Sequence, residues 1–237
     1  MNTLTIAFPS KGICDPAFAV ALRLLEIPTD QYSVVYVSGA DVAVARNLLA
    51  DKAKEVADYI FFVDDDVLPP ANTITKLLSH KKDIACGLYF AKQEPHFPQI
   101  FLKNYEDDLS KDEPAAKWSG RYDSIEKYKR DSLVEIDACG AGCLLIKAEV
   151  FKKIKQPYFQ YIPRGENNPR KGEDFYFCEK AKDAGYKIFC DTSIICKHIG
   201  TKYIGPQHWD ASVEMLTEMK KRMGEEKFKQ FKKQFHD

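Results

Sequence analysis

No stretch of this chain approaches the roughly 18–20 consecutive apolar residues that span a bilayer, so a transmembrane helix is not expected and any membrane contact would be peripheral. The N-terminus, MNTLTIAFPS, lacks the basic segment, long apolar run and small-residue cleavage site of a secretory leader. The seven cysteines (14, 86, 139, 143, 178, 190 and 196) form no Cys-x-x-Cys pair, which argues against a zinc ribbon. Their odd number and apolar settings fit a reducing, cytoplasmic location in which thiols act as small core hydrophobes. An excess of one charge is missing too: 35 Lys and Arg balance 35 Asp and Glu, so no global field calls for nucleic acid. Internal repeats and low-complexity tracts are absent.

What is present is enough apolar material, 45% of 237 residues, to bury one substantial core. The first ninety residues alternate strand-like and helix-like patterns, which defines an α/β layer around a mixed, mainly parallel sheet. TLTIAF, YSVVYVS, YIFFV and DIACGLYF read as strands. Between the first two, DPAFAVALRLLEI reads as a helix with Asp15 as N-cap and Pro16 at its first position. In the next helix Val42, Ala45, Leu48, Leu49, Ala53 and Val56 share one predicted inner face. NTITKLLSH reads as the return helix of the third strand.

Residues 91–131 lose this periodicity and are rich in charge, proline and aromatics, which suggests an insertion or lid rather than a linker. Order returns with LVEIDACGAGCLLIKAEVF, a strand, a glycine-bearing kink, a second strand and a short helix. A helix over about 173–184 ends at Gly185 and leads into a strand, and SIICKHIG closes the sheet. The expected organisation is a single domain over 1–208 followed by an amphipathic helical segment over 209–237, interrupted near Gly224.

Within this frame YIFFVDDDVLPP sets three carboxylates directly after a buried strand. In an open α/β sheet ligands bind beyond the carboxyl ends of strands. Asp64, Asp65 and Asp66 at such close quarters repel one another unless a cation neutralises them. Hard oxygen ligands of this kind suit Mg²⁺ or Mn²⁺, with phosphate and water completing the shell. A solvated acidic turn that caps the next helix is the plainer reading.

Three further segments favour the chemical reading. Glu173 and Asp174 in GEDFYF open a helix, where backbone N–H groups stabilise carboxylates and a general base can be held near an acceptor hydroxyl. Helix capping alone would also explain them. His198 in CKHIG ends a strand beside Lys197, with Lys202 close behind, a grouping suited to a metal or a phosphate. Gly140 and Gly142 leave room for a ligand to approach the backbone. Tyr89, Phe90, Phe97, Trp118 and Tyr122 either stack on sugar rings or fill the core.

Taken in order, SGADVAVARN, FFVDDDVLPP, GAGCLLIKAEVF, GEDFYFCEKAKDAGYKIFCD and KHIG resemble the GT-A-fold glycosyltransferases, close to the family-2-like group of small viral and bacterial enzymes, over roughly residues 3–205. The resemblance implies a single Rossmann-like GT-A domain, a nucleoside-diphosphate-sugar donor of UDP or GDP type, and Mn²⁺ or Mg²⁺. It matches Asp64 and Asp66 to the Asp-x-Asp element that holds ribose and metal, with Asp65 in the middle. Arg46 and Asn47 match a nucleotide-contacting pair, and Pro9 and Ser10 border the base. Gly140, Ala141 and Gly142 match the segment under the donor sugar, Asp174 the base of inverting members, and His198 a third metal ligand. Lys197 or Lys202 would steady the departing diphosphate. The insertion at 91–131 has no counterpart, so a glycan, lipid-linked or protein acceptor is not chosen.

Other classes remain open on the residues alone. An aspartate-nucleophile phosphatase also places Asp-x-Asp after a strand, but it wants Thr or Val where Leu68 stands and a Gly-Asp pair where the chain has GEDFYF. A sugar-phosphate nucleotidyltransferase would need a glycine-rich loop where the chain has only PSKG. A non-catalytic nucleotide-sugar or carbohydrate-binding module would use the carboxylates merely to hold a cation. In the tail, Leu216, Met219, Met223, Phe228, Phe231 and Phe235 lie among lysines, a pattern that suits packing on the domain, a second copy, or an anionic membrane surface.

Overall fold

A computed structural model describes residues 2–104, 121–163, 171–200 and 203–233. Strand β1 (Leu4–Ser10) leads through helix α1 (Pro16–Leu24) to β2 (Tyr32–Ser38), and α2 (Val42–Ala53) returns the chain to β3 (Tyr59–Val63). After β4 (Val67–Leu68), α3 (Thr73–Ser79) precedes β5 (Ile84–Leu88). Then come β6 (Ile100–Asn104), β7 (Arg121–Ser124), β8 (Leu133–Ile136), β9 (Ala138–Cys139) and β10 (Cys143–Lys147). The last elements are α4 (Ala148–Lys153), α5 (Glu173–Asp183), β11 (Ile188–Ile195), β12 (Lys197–Ile199), β13 (Tyr203–Ile204), α6 (Pro206–Met223) and α7 (Glu225–Lys233).

Seven strands form the central sheet in the order β2-β1-β3-β10-β5-β11-β8. β1 is parallel to both β2 and β3, and β5 is parallel to β11, whereas β10 and β8 run against their neighbours. This is the mixed α/β sheet that the alternating pattern predicts. The core divides by strand pleat: Ile60 and Phe62 of β3 join the larger cluster with Leu49 and Phe151, while Phe61 and Val63 face Phe18 and Ile74 on the other side. Each fully buried Phe contributes roughly 1.5–3 kcal/mol of hydrophobic stabilisation.

Local signals explain the helix ends. Asp15 caps α1 by accepting from the Ala17 N–H at 2.7 Å, and Asp41 caps α2 through the Ala43 N–H at 2.9 Å. The inner face of α2 differs from the expected one. Leu48 and Val56 are 45% and 69% exposed, and the helix instead buries Ala43, Ala45, Arg46, Leu49, Ala50 and Ala53. Small alanines let α2 lie close to the sheet, and the turn of the helix is set by burying Arg46 rather than by the largest apolar side chains.

Two more segments depart from the sequence reading. KHI does not close the main sheet, because β12 pairs with β4 and β13 in a separate three-stranded sheet. Within 91–131, Phe97, Ile100 and Phe101 are buried and β6 pairs with β7 and β9, so the described part of this segment belongs to the core. Trp118 lies outside the described residues. At the C-terminus Trp209, Leu216 and Phe228 join the main core, with Met219, Met223 and Phe231 packed against it. The apolar face of α6 and α7 is thus spent on the protein itself, and Lys220, Lys221 and Arg222 point to solvent. Among the described residues no helix is long and apolar enough to cross a membrane.

Candidate active site

The strand order reverses at β1: the chain goes first to β2 on one side and then to β3 on the other. β1 keeps its register with β2 as far as Ser10 but with β3 only as far as Ala7. The sheet therefore parts between the carboxyl ends of β1 and β3, where open α/β sheets bind ligands. Pro9, buried, and Ser10, whose Oγ accepts from the Gly12 N–H at 3.1 Å, stand on one side of the parting. Asp64, Asp65 and Asp66 stand on the other.

The acidic turn is pinned by backbone bonds. The Asp64 N–H donates to the Gly142 carbonyl at 3.1 Å, the Val67 N–H to the Asp64 carbonyl at 3.0 Å, and the Ile199 N–H to the Asp66 carbonyl at 2.7 Å. Asp64 is held by Arg46, whose Nη2 donates to Oδ1 at 2.6 Å, while Nη1 of the same guanidinium pairs with Glu173. Arg46 is only 2% exposed, and Asp64, Glu173 and Asp174 hold its charge in place against the burial that opposes it. Burial raises the Asp64 carboxyl, Arg46 counters it, and Asp66 adds to it. Asp65 keeps Oδ2 buried without a hydrogen-bond partner.

Asp66 faces a lysine and a histidine side chain. Lys92 Nζ donates to Oδ2 at 2.5 Å, and His198 Nε2 lies 3.4 Å from Oδ1. Burial pushes this carboxyl up, but the bonds from His198 and Lys92 outweigh it and hold Asp66 at about 2. The His198 Nδ1 lies 2.8 Å from the Phe90 carbonyl, an acceptor only, so Nδ1 donates there while Nε2 faces the carboxylate. Among the described residues no group of three or more His, Cys, Asp or Glu side chains converges as a metal cage. Of the expected metal set, Asp66 and His198 meet, and Asp64 is paired with Arg46 instead.

Glu173 and Asp174 open α5, as the sequence suggests, and Asp174 is capped by the Phe175 N–H at 2.8 Å. Burial, reinforced by Glu173 and only partly offset by Arg46, lifts Asp174 to about 7. The glycines answer to a neighbour that the sequence reading did not foresee. A Cβ at Gly140 would fall 1.9 Å from the Tyr89 hydroxyl, and one at Gly142 would meet Val67 at 2.9 Å and Tyr89 at 3.0 Å. Tyr89 thus fills the space reserved for a ligand in the sequence reading, its oxygen accepting from the Gly142 N–H at 3.3 Å, with Ala141 buried between.

Asn47, expected on the nucleotide, has its amide committed elsewhere. Its nitrogen donates to the Ala43 and Phe159 carbonyls at 2.8 and 2.7 Å, and its oxygen accepts from the Tyr158 and Phe159 N–H groups at 2.7 and 3.2 Å. Asn47 therefore latches the 158–159 segment onto α2. Lys197 is exposed on β12, and Lys202 lies outside the described residues. Lys92 is the site residue that sequence reasoning missed, and Tyr89, expected on a sugar ring or in the core, is buried with its hydroxyl against Gly140 and Gly142. The signal for Lys92 was position alone, just past the carboxyl end of β5.

No protein-family model matches the chain, and no curated protein matches it by sequence. Solved structures do. A197 from STIV superposes with a TM-score of 0.58 at 22% identity, covering 87% of this chain and 91% of that one. GalNAc-T7, crystallised with UDP, GalNAc and Mn²⁺, superposes with a TM-score of 0.52 at 12% identity over 90% of this chain. That alignment spans 48%, about half, of the GalNAc-T7 chain. Identities this low speak to architecture, and the architecture is GT-A-like.

Proposed function

We propose that the protein is a glycosyltransferase that moves a sugar from a nucleoside-diphosphate donor, of UDP or GDP type, to an acceptor hydroxyl. One observation carries this reading: buried Arg46 joins Asp64 to Glu173, which brings the acidic turn at the parted sheet beside the helix head that bears Asp174. The UDP and Mn²⁺ in the GalNAc-T7 structure support it by likeness of fold.

The residues fit a divalent cation. Asp66 faces a histidine nitrogen whose ring partner is spent on a carbonyl, the arrangement that orients a metal-binding imidazole, and Asp65 offers a buried oxygen with no partner. Mg²⁺ and Mn²⁺ accept few protein ligands and complete their shells with diphosphate and water. When bound, such an ion supplies positive charge for the departing diphosphate. Pro9 and Ser10 border the nucleotide, and the exposed ammonium of Lys197 on β12 is the one to meet phosphate.

Asp174 is the base. Held at about 7, it is ionised in a substantial fraction at neutral pH and still basic enough to take the acceptor proton. Attack from the face opposite the diphosphate then inverts the anomeric carbon. Glu173, already paired with Arg46, positions Asp174 rather than acting on the proton itself. The test is nucleoside-diphosphate release from UDP- and GDP-sugars with and without Mn²⁺, read beside a thermal-shift panel of the same ligands. Metal-stimulated release with a matching shift is expected. Phosphate release from simple esters, or no shift with any donor, overturns the proposal.

A further inference from the structure

We infer that Lys92 occupies the cation position on Asp66 in the free protein and passes to the donor diphosphate when the nucleotide arrives. This rests on the proposed function. Lys92 Nζ sits 2.5 Å from Asp66 Oδ2, the oxygen that His198 does not face. The two side chains are 38% and 37% exposed, so the pair stands at the surface, where ion pairs hold weakly and exchange readily.

The segment that carries Lys92 is itself fixed. The Cys196 N–H donates to the Leu88 carbonyl at 2.8 Å, Phe90 bridges to Pro98, and the Ala91 N–H donates to the Phe97 carbonyl at 2.9 Å. Phe90, two residues before the lysine, also accepts from the His198 imidazole. One anchored stretch therefore orients the histidine and delivers the ammonium. Only the flexible stem of Lys92 needs to move, and its three rotatable donors suit phosphate oxygens as well as a carboxylate.

In the transfer step the anomeric carbon–oxygen bond breaks and its electron pair stays on the diphosphate. The acceptor oxygen bonds to the carbon, and its proton goes to Asp174. Lys92 transfers no proton in this step and donates hydrogen bonds to the diphosphate as the negative charge there grows. Lys92 is thus a catalytic residue of the proposed reaction, and its contact with Asp66 is the resting state.

Calorimetry on the full chain separates the alternatives, with Mn²⁺ alone as one titrant and UDP or GDP in excess Mn²⁺ as the other. Lys92→Met is expected to bind Mn²⁺ alone at least tenfold more tightly than the parent and the nucleotide at least tenfold more weakly. Lys92→Arg should stay within threefold of the parent in both titrations. Lys11→Met, which removes an equal charge from the loop after β1, should stay within twofold. If the parent binds nucleotide and Lys92→Met fails to show either shift, the role of Lys92 is overturned and the glycosyltransferase reading survives. If neither nucleotide binds the parent or any variant, both go.

Discussion

The Tyr89 hydroxyl lies 1.9 Å from the point where a β-carbon would stand at Gly140. The glycine is therefore required by a buried phenol, which lines the site together with Asp64 and Asp174. Gly140→Ala is expected to destabilise the protein by about 1–3 kcal/mol through overpacking, read as a lowered urea midpoint. Tyr89→Phe in the same chain should recover part of that loss, because the hydroxyl is the atom in closest conflict.

Arg46 neutralises two carboxylates at once. Arg46→Met should cost about 3–5 kcal/mol at pH 7.5, since it strands Asp64 and Glu173 in the interior. With the guanidinium gone, burial raises the Asp64 carboxyl unopposed, so the folded chain holds that proton more tightly than the unfolded chain. The gap to the parent should therefore narrow as the pH falls to 5.5. Urea titrations at the two pH values check this, and an unchanged gap would count against the pairing.

Asp174 makes a paired prediction. Its folded value of about 7 stands above its ordinary 3.8, so the folded state binds the proton more tightly. Its contribution to stability is therefore fully present below about 3.8 and lost as the pH rises through about 7. Asp174→Asn should accordingly melt higher than the parent at pH 8, with the difference vanishing near pH 4. The same variant should keep donor binding and lose transfer by at least 10²-fold, in keeping with the loss of a general base.

The pH profile of turnover follows from the two acids together. Asp66, held at about 2, is ionised throughout the working range and sets no limb. Turnover should rise about tenfold per pH unit below about 7 and flatten above it, tracking Asp174. Asp66→Ala should abolish transfer and the Mn²⁺-dependent part of nucleotide binding at every pH. Activity equal to the parent in that variant would remove Asp66 from the reaction.

Much of this arrangement is legible in the chain. Asp15 with Pro16, the alternation through Val63 and the stop at Gly185 declare their elements because each is a local choice of backbone. The acidic turn and the head of α5 are legible for the same reason, being strand-end and helix-start signals. The exposure of Leu48, the latch made by Asn47 and the approach of Lys92 to Asp66 are not, because each depends on a partner distant in sequence. Gly140 shows the boundary well: its need for space is visible in its identity, and the identity of what fills that space is not.

The antiparallel β10 between β3 and β5 has a consequence for how this protein tolerates change. Because it runs against both neighbours, its beginning rather than its end meets the acidic turn, through the Gly142 carbonyl. Deleting one residue from that strand would exchange Leu144 and Leu145 between the two sides of the sheet and carry the carbonyl away from Asp64 in the same stroke. Frameshifting the packing and dismantling the chemistry are a single event, so homologues that keep one should keep the other.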